Sequence, residues 1–303
     1  MRRGTPDTSD TPDTPDTPDI VALYFAFMQT QTPPALAAKE EQLLDGLRLL
    51  DSVLVALSGG ADSAYLAWAA HRALGVGALS VTALSPSFSA HDREQVEALV
   101  RQQGLRHEFL KTREMENPLY AANNADRCYY CKDELFTVLD QLADAGKFSA
   151  VAYGINADDT HDFRPGHRAA SEHRVLAPLL DARLTKAEIR ELSRRAGLAT
   201  WDRPASACLS SRIPYGSAVT PEKLAQVERG EAILREMGFR QFRVRHHGEL
   251  ARIEIAAEEM EGALQMGIAR QLGQRFREAG FLYVTLDLDG YRQGSLNASL
   301  KVL

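Results

Sequence analysis

The sequence predicts an α/β protein, a doubly wound parallel sheet followed by a smaller C-terminal α+β domain. Through the first two thirds of the chain, short apolar runs alternate with helical stretches, which is the pattern of βαβ units. Beyond about residue 205 the order becomes helix, strand, strand, helix, strand. The 303 residues suffice for both parts. We therefore expect a leader at residues 1–33, an α/β domain at 34–205 and a C-terminal domain at 206–303.

Each expected element has its own signal. Leucines at positions 43, 44, 47 and 50 have the spacing of one helix face, and the run S-V-L-V-A-L after them is typical of a buried parallel strand. The α/β part is predicted as helix Ala35–Leu50, strand Ser52–Leu57, helix Ala64–Leu74, strand Ala78–Leu84, helix His91–Gln103, and strands Glu108–Leu110 and Ala150–Tyr153. The C-terminal part is predicted as helix Pro221–Met237, strands Phe239–His246 and Ala251–Ile255, helix Glu258–Ala279 and strand Phe281–Leu288.

The N-terminal segment carries a Thr-Pro-Asp repeat from Thr5 to Asp19. A segment of this composition cannot bury apolar surface, so it is expected to be disordered, with order beginning near Pro33. The repeat fits a true leader and a wrongly assigned, too early translation start equally well. If the start is wrongly assigned, Met28 is the first residue of the natural protein.

Composition narrows the class of protein. A net charge of −6 argues against a broad nucleic-acid-binding surface, so no nucleic-acid partner is expected. No run approaches about 20 apolar residues, so no membrane-spanning helix is expected. The basic start is followed by an acidic repeat rather than the apolar core of a signal peptide, which indicates a cytoplasmic protein. In that compartment the three cysteines are ligands, nucleophiles or core residues rather than disulfide partners.

The strongest motif is S-G-G-A-D-S, residues 58–63, between a predicted strand and a predicted helix. Gly59 and Gly60 let the backbone approach phosphate oxygens, Ser58 and Ser63 add hydroxyl donors, and Asp62 indicates a bridging Mg²⁺. The alternative is a glycine-rich connection without a ligand. The motif resembles the loop of the ATP-pyrophosphatase (PP-loop) superfamily, of the adenine nucleotide alpha hydrolase-like fold, whose members split ATP into AMP and pyrophosphate while adenylating an oxygen.

Further segments resemble one family within that superfamily. They are N-A-D-R-C-Y-Y-C-K-D-E-L-F (124–136), G-I-N-A-D-D (154–159), L-T-K-A-E-I-R (184–190), R-P-A-S-A-C-L-S-S-R-I-P-Y-G (203–216), F-R-V-R-H-H-G (242–248) and D-G-Y-R-Q-G-S-L-N (289–297). Together they look like the LarE family, the sulfur transferases of nickel-pincer nucleotide cofactor synthesis. The resemblance implies that ATP adenylates the carboxylates of pyridinium-3,5-biscarboxylic acid mononucleotide, a small nucleotide substrate, and that sulfur then displaces AMP. It also implies a homo-oligomer whose C-terminal domain serves substrate binding and assembly.

The cysteines are Cys128 and Cys131, in a C-x-x-C pair, and Cys208. In family members with one cysteine at the Cys208 position, that residue gives up its own sulfur and becomes dehydroalanine. Members with all of these cysteines resemble cluster proteins, in which the thiolates hold a 4Fe–4S cluster with one iron open for a transferable sulfide. Structural zinc, a redox dithiol or buried inert thiols are the alternatives.

Other site residues follow from the resemblance. Lys186, in a helix-opening T-K-A-E sequence, corresponds to an ATP phosphate ligand, or is simply a solvated helix lysine. Arg212, Glu231, Arg243 and Arg245 correspond to the site for the anionic substrate. Because Arg243 and Arg245 alternate with apolar residues, they share one face of a strand, as two solvent-facing arginines would also do.

Three other functions compete with sulfur transfer to a carboxylate. A tRNA thiolase of the same superfamily would require an RNA-binding module, which the sequence does not show. An ammonia-using amide synthetase would not need the cysteines. A nucleotide sensor without catalysis would bind ATP and form no AMP.

Overall fold

The computed structural model describes residues 19–29, 35–161, 165–204 and 207–292. Its strands are β1 Val53–Ala56, β2 Ala78–Leu84, β3 His107–Lys111, β4 Ala150–Tyr153, β5 Phe242–His247, β6 Leu250–Ile255 and β7 Tyr283–Leu286. Its helices are α1 Ile20–Gln29, α2 Leu36–Arg48, α3 Ala61–Leu74, α4 Ala90–Gln103, α5 Pro118–Ala121, α6 Arg127–Gly146, α7 Pro165–Glu172, α8 Pro178–Asp181, α9 Lys186–Arg195, α10 Pro221–Glu236, α11 Ala257–Leu264 and α12 Met266–Glu278.

A parallel sheet of order β3-β2-β1-β4 forms the first part of the molecule. Strand β1 is central and all four of its residues are buried, which is why it reads as an uninterrupted apolar run. The strand order reverses between β1 and β4. In open α/β sheets ligands bind at such a switch point, beyond the carboxyl ends of the strands.

Helices cover both faces of this sheet. On one face α2, α3 and α9 contribute buried side chains such as Leu47, Tyr65 and Ile189. On the other face α6 and α7 contribute Phe136 and Ala169. The prediction of a parallel α/β sheet with helices on both sides is confirmed.

The N-terminal boundary differs from the expectation. Ile20–Gln29, placed in the leader by sequence, forms helix α1. Tyr24 is fully buried and donates a hydrogen bond to Asp181 Oδ2 (2.9 Å), and Met28 packs against Gly46 of α2. Helix α1 therefore packs against the core through Tyr24 and Met28, while Leu23 and Phe25 stay exposed, and ordered structure is present before residue 33. The Thr-Pro-Asp repeat, apart from Asp19, lies outside the described residues.

The second sheet has the order β5-β6-β7, with β5 and β6 antiparallel and β6 and β7 parallel. Helices α10 and α12 pack on it through Leu234 and Phe276. The single helix expected over Glu258–Ala279 is wrong: the chain is extended at Gln265 (φ −59°, ψ 128°), which separates α11 from α12.

The segment between the two sheets is fixed to the first part of the molecule. The side-chain amide of Asn123 donates to the carbonyls of Ile213 (3.2 Å), Pro214 (2.8 Å) and Ser217 (2.9 Å). The Leu209 N–H donates to the Ser87 carbonyl (2.9 Å). This attachment sets where Cys208 lies. Among the described residues, no helix has the length and apolar character needed to cross a membrane.

Candidate functional site

Hydrogen bonds of its own two serines hold the loop between β1 and α3 closed. The Ser58 N–H donates to Ser63 Oγ (3.1 Å), the two serine hydroxyls are 3.0 Å apart, and Ser63 Oγ donates to the Gly60 carbonyl (3.2 Å). Gly59 has φ +80°, and a Cβ there would lie 2.9 Å from Val96 Cγ2. The loop therefore requires glycine at position 59, both for its left-handed backbone and for its contact with α4.

Residues that follow β4 meet this loop at the switch point. A Cβ at Gly154 would lie 2.8 Å from the Ser63 nitrogen, so the two backbones are in direct contact. Asn156 donates from its side-chain amide to Asp62 Oδ2 (3.0 Å). Burial and the nearby Asp159 carboxylate raise the pKa of Asp62. No site residue is predicted in the G-I-N-A-D-D segment from sequence; it meets the loop because β4, which precedes it, pairs with β1.

Lys186 is brought to the same place. Its ammonium lies 3.0 Å from Asp159 Oδ1, and its charge acts on the Asp62 carboxyl. The predicted N-cap is present: Thr185 Oγ1 accepts from the Glu188 N–H, and Glu188 Oε2 accepts from the Thr185 N–H (2.9 Å). This capping box fixes the start of α9 and with it the position of Lys186.

The three cysteines come from two separate stretches of chain. Cys128 and Cys131 lie on the first turns of α6, and Cys208 directly precedes a 3₁₀ turn, Leu209–Arg212. Cys128 and Cys208 are exposed, whereas burial and then the charge of Cys208 raise the pKa of Cys131 to about 12. Arg127 donates to Cys128 Sγ (3.9 Å). Although burial acts against its charge, the pKa of Arg127 is raised because Cys208 and Cys128 lie close by. Cys128 and Cys208 thus lie near the Arg127 guanidinium, and Cys131 lies near enough to both thiols to be affected by their charge.

The described residues do not form a ready metal site. Nowhere in this part of the chain are three or more His, Cys, Asp or Glu side chains grouped so as to hold a metal ion.

A cleft of about 850 Å³ runs between α4 and the C-terminal elements. Arg203 lines it and donates to the Gly59 carbonyl (2.9 Å) and to Asp92 Oδ1 (2.5 Å), so this residue joins the cleft to the glycine loop. Arg212, Glu231 and Arg243 also line it.

The predicted anion ligands are not equivalent. Arg212 and Glu231 form a buried bidentate ion pair (Nε–Oε1 2.8 Å, Nη2–Oε2 3.1 Å), exposed by only 3% and 8%. Arg243 stacks on the Tyr291 ring (5.0 Å), and burial, with the charge of Arg212, lowers its pKa. Arg245 does not line the cleft: it donates to the Ser211 carbonyl (3.0 Å) and to Glu254 Oε2 (2.7 Å). Sequence reasoning missed Arg203, which the R-P-A-S-A-C segment begins with.

Known proteins are similar to this chain over half of its length or more. No family model matches the chain. It is 44% identical to the uncharacterised protein slr1717 of Synechocystis over 88% of this chain and 99% of that protein. It is 34% identical to the pyridinium-3,5-bisthiocarboxylic acid mononucleotide synthase of Lactiplantibacillus plantarum over 88% of this chain and 96% of the enzyme. It is 29% identical to the uncharacterised protein MJ0830 of Methanocaldococcus jannaschii over 56% of this chain and 66% of that protein.

Proposed function

Because this chain belongs to the LarE family of pyridinium-3,5-bisthiocarboxylic acid mononucleotide synthases, we propose that it uses ATP to adenylate the carboxylates of pyridinium-3,5-biscarboxylic acid mononucleotide and converts them to thiocarboxylates. It is an enzyme, a sulfur transferase of nickel-pincer cofactor biosynthesis. The observation that carries the detailed proposal is the cleft. At Arg203 it meets the glycine loop, and at Arg212 it meets the turn of Cys208.

The first step belongs to the loop at residues 58–63. ATP phosphates bind the N–H groups at the start of α3 and the hydroxyls of Ser58 and Ser63. The Lys186 ammonium, beside the Asp159 carboxylate, adds a positive charge near the bound phosphates. A substrate carboxylate oxygen attacks the α-phosphorus, the P–O bond to pyrophosphate breaks, and an acyl adenylate forms.

Mg²⁺ fits beside this loop as an ion held by the Asp62 carboxylate and the ATP phosphates, an arrangement that needs no group of three protein ligands. Burial and then the Asp159 carboxylate raise the pKa of Asp62, and a divalent cation there would stabilise its charged form. The ion would neutralise phosphate charge, while Asn156 orients the Asp62 carboxylate through its 3.0 Å hydrogen bond.

The substrate is anionic, and the lining of the cleft contains arginines together with five carboxylates. Among the arginines are Arg203, Arg235, Arg240 and Arg243. A guanidinium binds phosphate or carboxylate through paired hydrogen bonds. In this proposal Arg203, which also pairs with Asp92, holds the carboxylate that reacts, and Arg243 holds the substrate phosphate.

Cys208 carries out the second step. Its sulfur attacks the carbonyl carbon of the acyl adenylate, the C–S bond forms, and AMP leaves with the electron pair of the broken C–O bond; the thiol proton passes to water. Water then removes the Cα proton of Cys208, the Cβ–S bond breaks, and a thiocarboxylate leaves dehydroalanine in the chain. Each chain supplies one sulfur, so two chains serve the two carboxylates of one substrate.

Among the described residues the cysteines do not form a ready ligand set for the 4Fe–4S cluster that the resemblance implies, so the cluster stays a prediction beside the sacrificial route. Anaerobic purification with iron and sulfide assays, followed by mass spectrometry after turnover, decides the sulfur source. We expect an iron-free protein that loses one H₂S per chain at Cys208. Stoichiometric iron with an intact Cys208 after turnover would instead assign the sulfur to a cluster.

The test of the adenylation step is Asp62→Asn. Substrate-dependent pyrophosphate release should fall by at least a hundredfold, because the amide cannot hold the cation. Cys208→Ser is the matched control: it should release pyrophosphate and form no thiocarboxylate. Pyrophosphate release at the wild-type rate by Asp62→Asn would overturn the assignment of the loop.

A cytoplasmic location and a homo-oligomeric state stay predictions. Fractionation of cells and light scattering of the purified protein test them. Because each chain donates one sulfur and each substrate takes two, an assembly of several chains would bring more than one Cys208 to the same molecule.

A further inference from the structure

In the short segment around Cys208, the backbone carbonyls accept hydrogen bonds from buried arginines. Arg212 Nη1 donates to the carbonyls of Ala207 (2.5 Å) and Cys208 (3.0 Å). Arg127 Nη1 donates to the carbonyl of Ser210 (2.9 Å), and Arg245 Nη1 to that of Ser211 (3.0 Å). Four carbonyls within five residues thus accept hydrogen bonds from arginines on three different elements: α6, the turn itself and β5.

Each of these arginines is itself held. Their exposed fractions are 4% for Arg127, 3% for Arg212 and 5% for Arg245. Arg127 donates to Asn123 Oδ1 (2.5 Å), and the other two pair with buried carboxylates, Glu231 and Glu254. A buried guanidinium with fixed partners loses little rotamer freedom when it donates to a further acceptor, so its hydrogen bonds define a position.

The donors of Arg212 are nearly all in use. Its Nε and one Nη2 hydrogen bind Glu231, and its Nη1 hydrogens are shared among Ala207 O, Cys208 O and Ser211 Oγ (3.0 Å). A guanidinium has five N–H groups. Little is left for a substrate oxygen, although the side chain borders the cleft.

We propose that Arg127, Arg212 and Arg245 form an arginine cradle that positions the sulfur of Cys208 for its attack on the acyl adenylate. The proposal rests on the proposed function. Arg212 and Arg245 are then positioning residues for the sulfur step and not ligands of the substrate. Cys208 itself is exposed. The Asn123 amide, the Leu209–Ser87 contact and the Tyr120–Ser210 hydroxyl pair (2.7 Å) hold the chain that follows it, and the cradle adds the contacts to the carbonyls of Ala207 and Cys208 themselves.

The geometry separates two partial reactions. Adenylation takes place at the glycine loop, which none of the cradle arginines contacts among the described residues. Attack of sulfur on the acyl adenylate requires the Cys208 sulfur at a defined point, and a displacement of about 1 Å can cost about a hundredfold in rate. Loss of a cradle contact should therefore slow the second reaction and spare the first.

The experiment compares Arg245→Lys and Arg127→Lys with the matched control Arg243→Lys. Arg243 is on the same strand as Arg245 and lines the cleft. Lysine keeps the charge beside Glu254 but cannot make both of the contacts that Arg245 makes. Two quantities are measured with pyridinium-3,5-biscarboxylic acid mononucleotide: substrate-dependent pyrophosphate release, and single-turnover thiocarboxylate formation at saturating substrate.

We expect both cradle variants to release pyrophosphate within about threefold of the wild type and to form thiocarboxylate at least tenfold more slowly. Arg243→Lys should show the opposite pattern, a raised substrate KM for pyrophosphate release and an unchanged sulfur step at saturation. A raised substrate KM in the cradle variants with a normal sulfur step would overturn the proposal, as would wild-type values for both. Loss of pyrophosphate release together with the sulfur step would also overturn it. Absence of pyrophosphate release from the wild type would refute the proposed function itself.

Discussion

The buried pair of Arg212 and Glu231 makes a quantitative prediction. In Glu231→Ala the guanidinium of Arg212, exposed by only 3%, keeps its charge and loses the carboxylate at 2.8 Å. An uncompensated buried partner of this kind costs about 3–5 kcal/mol of unfolding free energy. At about 2–4 °C per kcal/mol for a domain of this size, the melting temperature should fall by about 6–20 °C. Circular dichroism during heating and during urea unfolding measures both quantities.

Two further variants show whether burial is the cause. Glu236→Ala, on the same helix, removes a carboxylate that is 63% exposed and pairs with Arg275, and it should cost no more than about 1 kcal/mol. Arg212→Met combined with Glu231→Leu removes both charges and should recover most of the stability lost by Glu231→Ala. If Glu231→Ala costs as little as Glu236→Ala, the guanidinium reaches water on its own and is free to bind substrate, and the reasoning about the cradle is refuted.

Two other predictions concern backbone strain and pH. Gly59→Ala should raise the KM for ATP in pyrophosphate release about tenfold, since it places a side chain at φ +80° and 2.9 Å from α4. The control is Gly104→Ala, at φ +62° with open space around it, which should leave that KM unchanged. Equal KM values for the two variants would contradict the role of the loop. His173→Gln should destabilise the protein more at pH 6 than at pH 9. Burial opposes the charge of His173, but its hydrogen bonds to Asp140 and Asp133 raise its pKa, so the stabilisation is complete below the unfolded pKa of about 6.5 and is lost as pH rises through the folded value. Urea unfolding at both pH values measures this, and an equal loss at both would count against it.

The parallel sheet could be predicted because its strands carry a signal in residue type. A strand buried on both faces must be apolar throughout, as β1 is. Helix α6 could not be found in this way. Of its 20 residues only Arg127, Phe136, Leu139 and Ala143 are buried, and the charges between them hide the apolar stripe. The break at Gln265 depends on backbone angles that no residue type there requires.

The glycine loop could be picked out of the sequence because a phosphate-binding turn restricts both residue type and spacing; that ATP binds there stays a proposal. The shared strand face of Arg243 and Arg245 also follows from sequence, and the register agrees: Arg243 lies opposite Glu254, and Arg245 opposite Arg252. Their different partners could not be predicted. Arg245 meets the Ser211 carbonyl 34 residues away in the chain, and this contact depends on how the linker crosses β5.

The contacts of the cradle end on backbone carbonyls, and every residue type has one. A sequence motif therefore contains only the arginines. They resemble anion ligands because an arginine that binds a substrate phosphate and one that binds a peptide carbonyl both donate to an oxygen acceptor. The difference lies in burial: Arg243 is half-buried beside the cleft, whereas Arg212 and Arg245 are covered and already hydrogen-bonded. An arginine whose donors are as fully used as those of Arg212 has to break existing bonds before it can bind a ligand. In the proposed cradle such residues act through the chain that they hold, and burial together with the hydrogen bonds already made separates them from the arginines that we propose as substrate ligands.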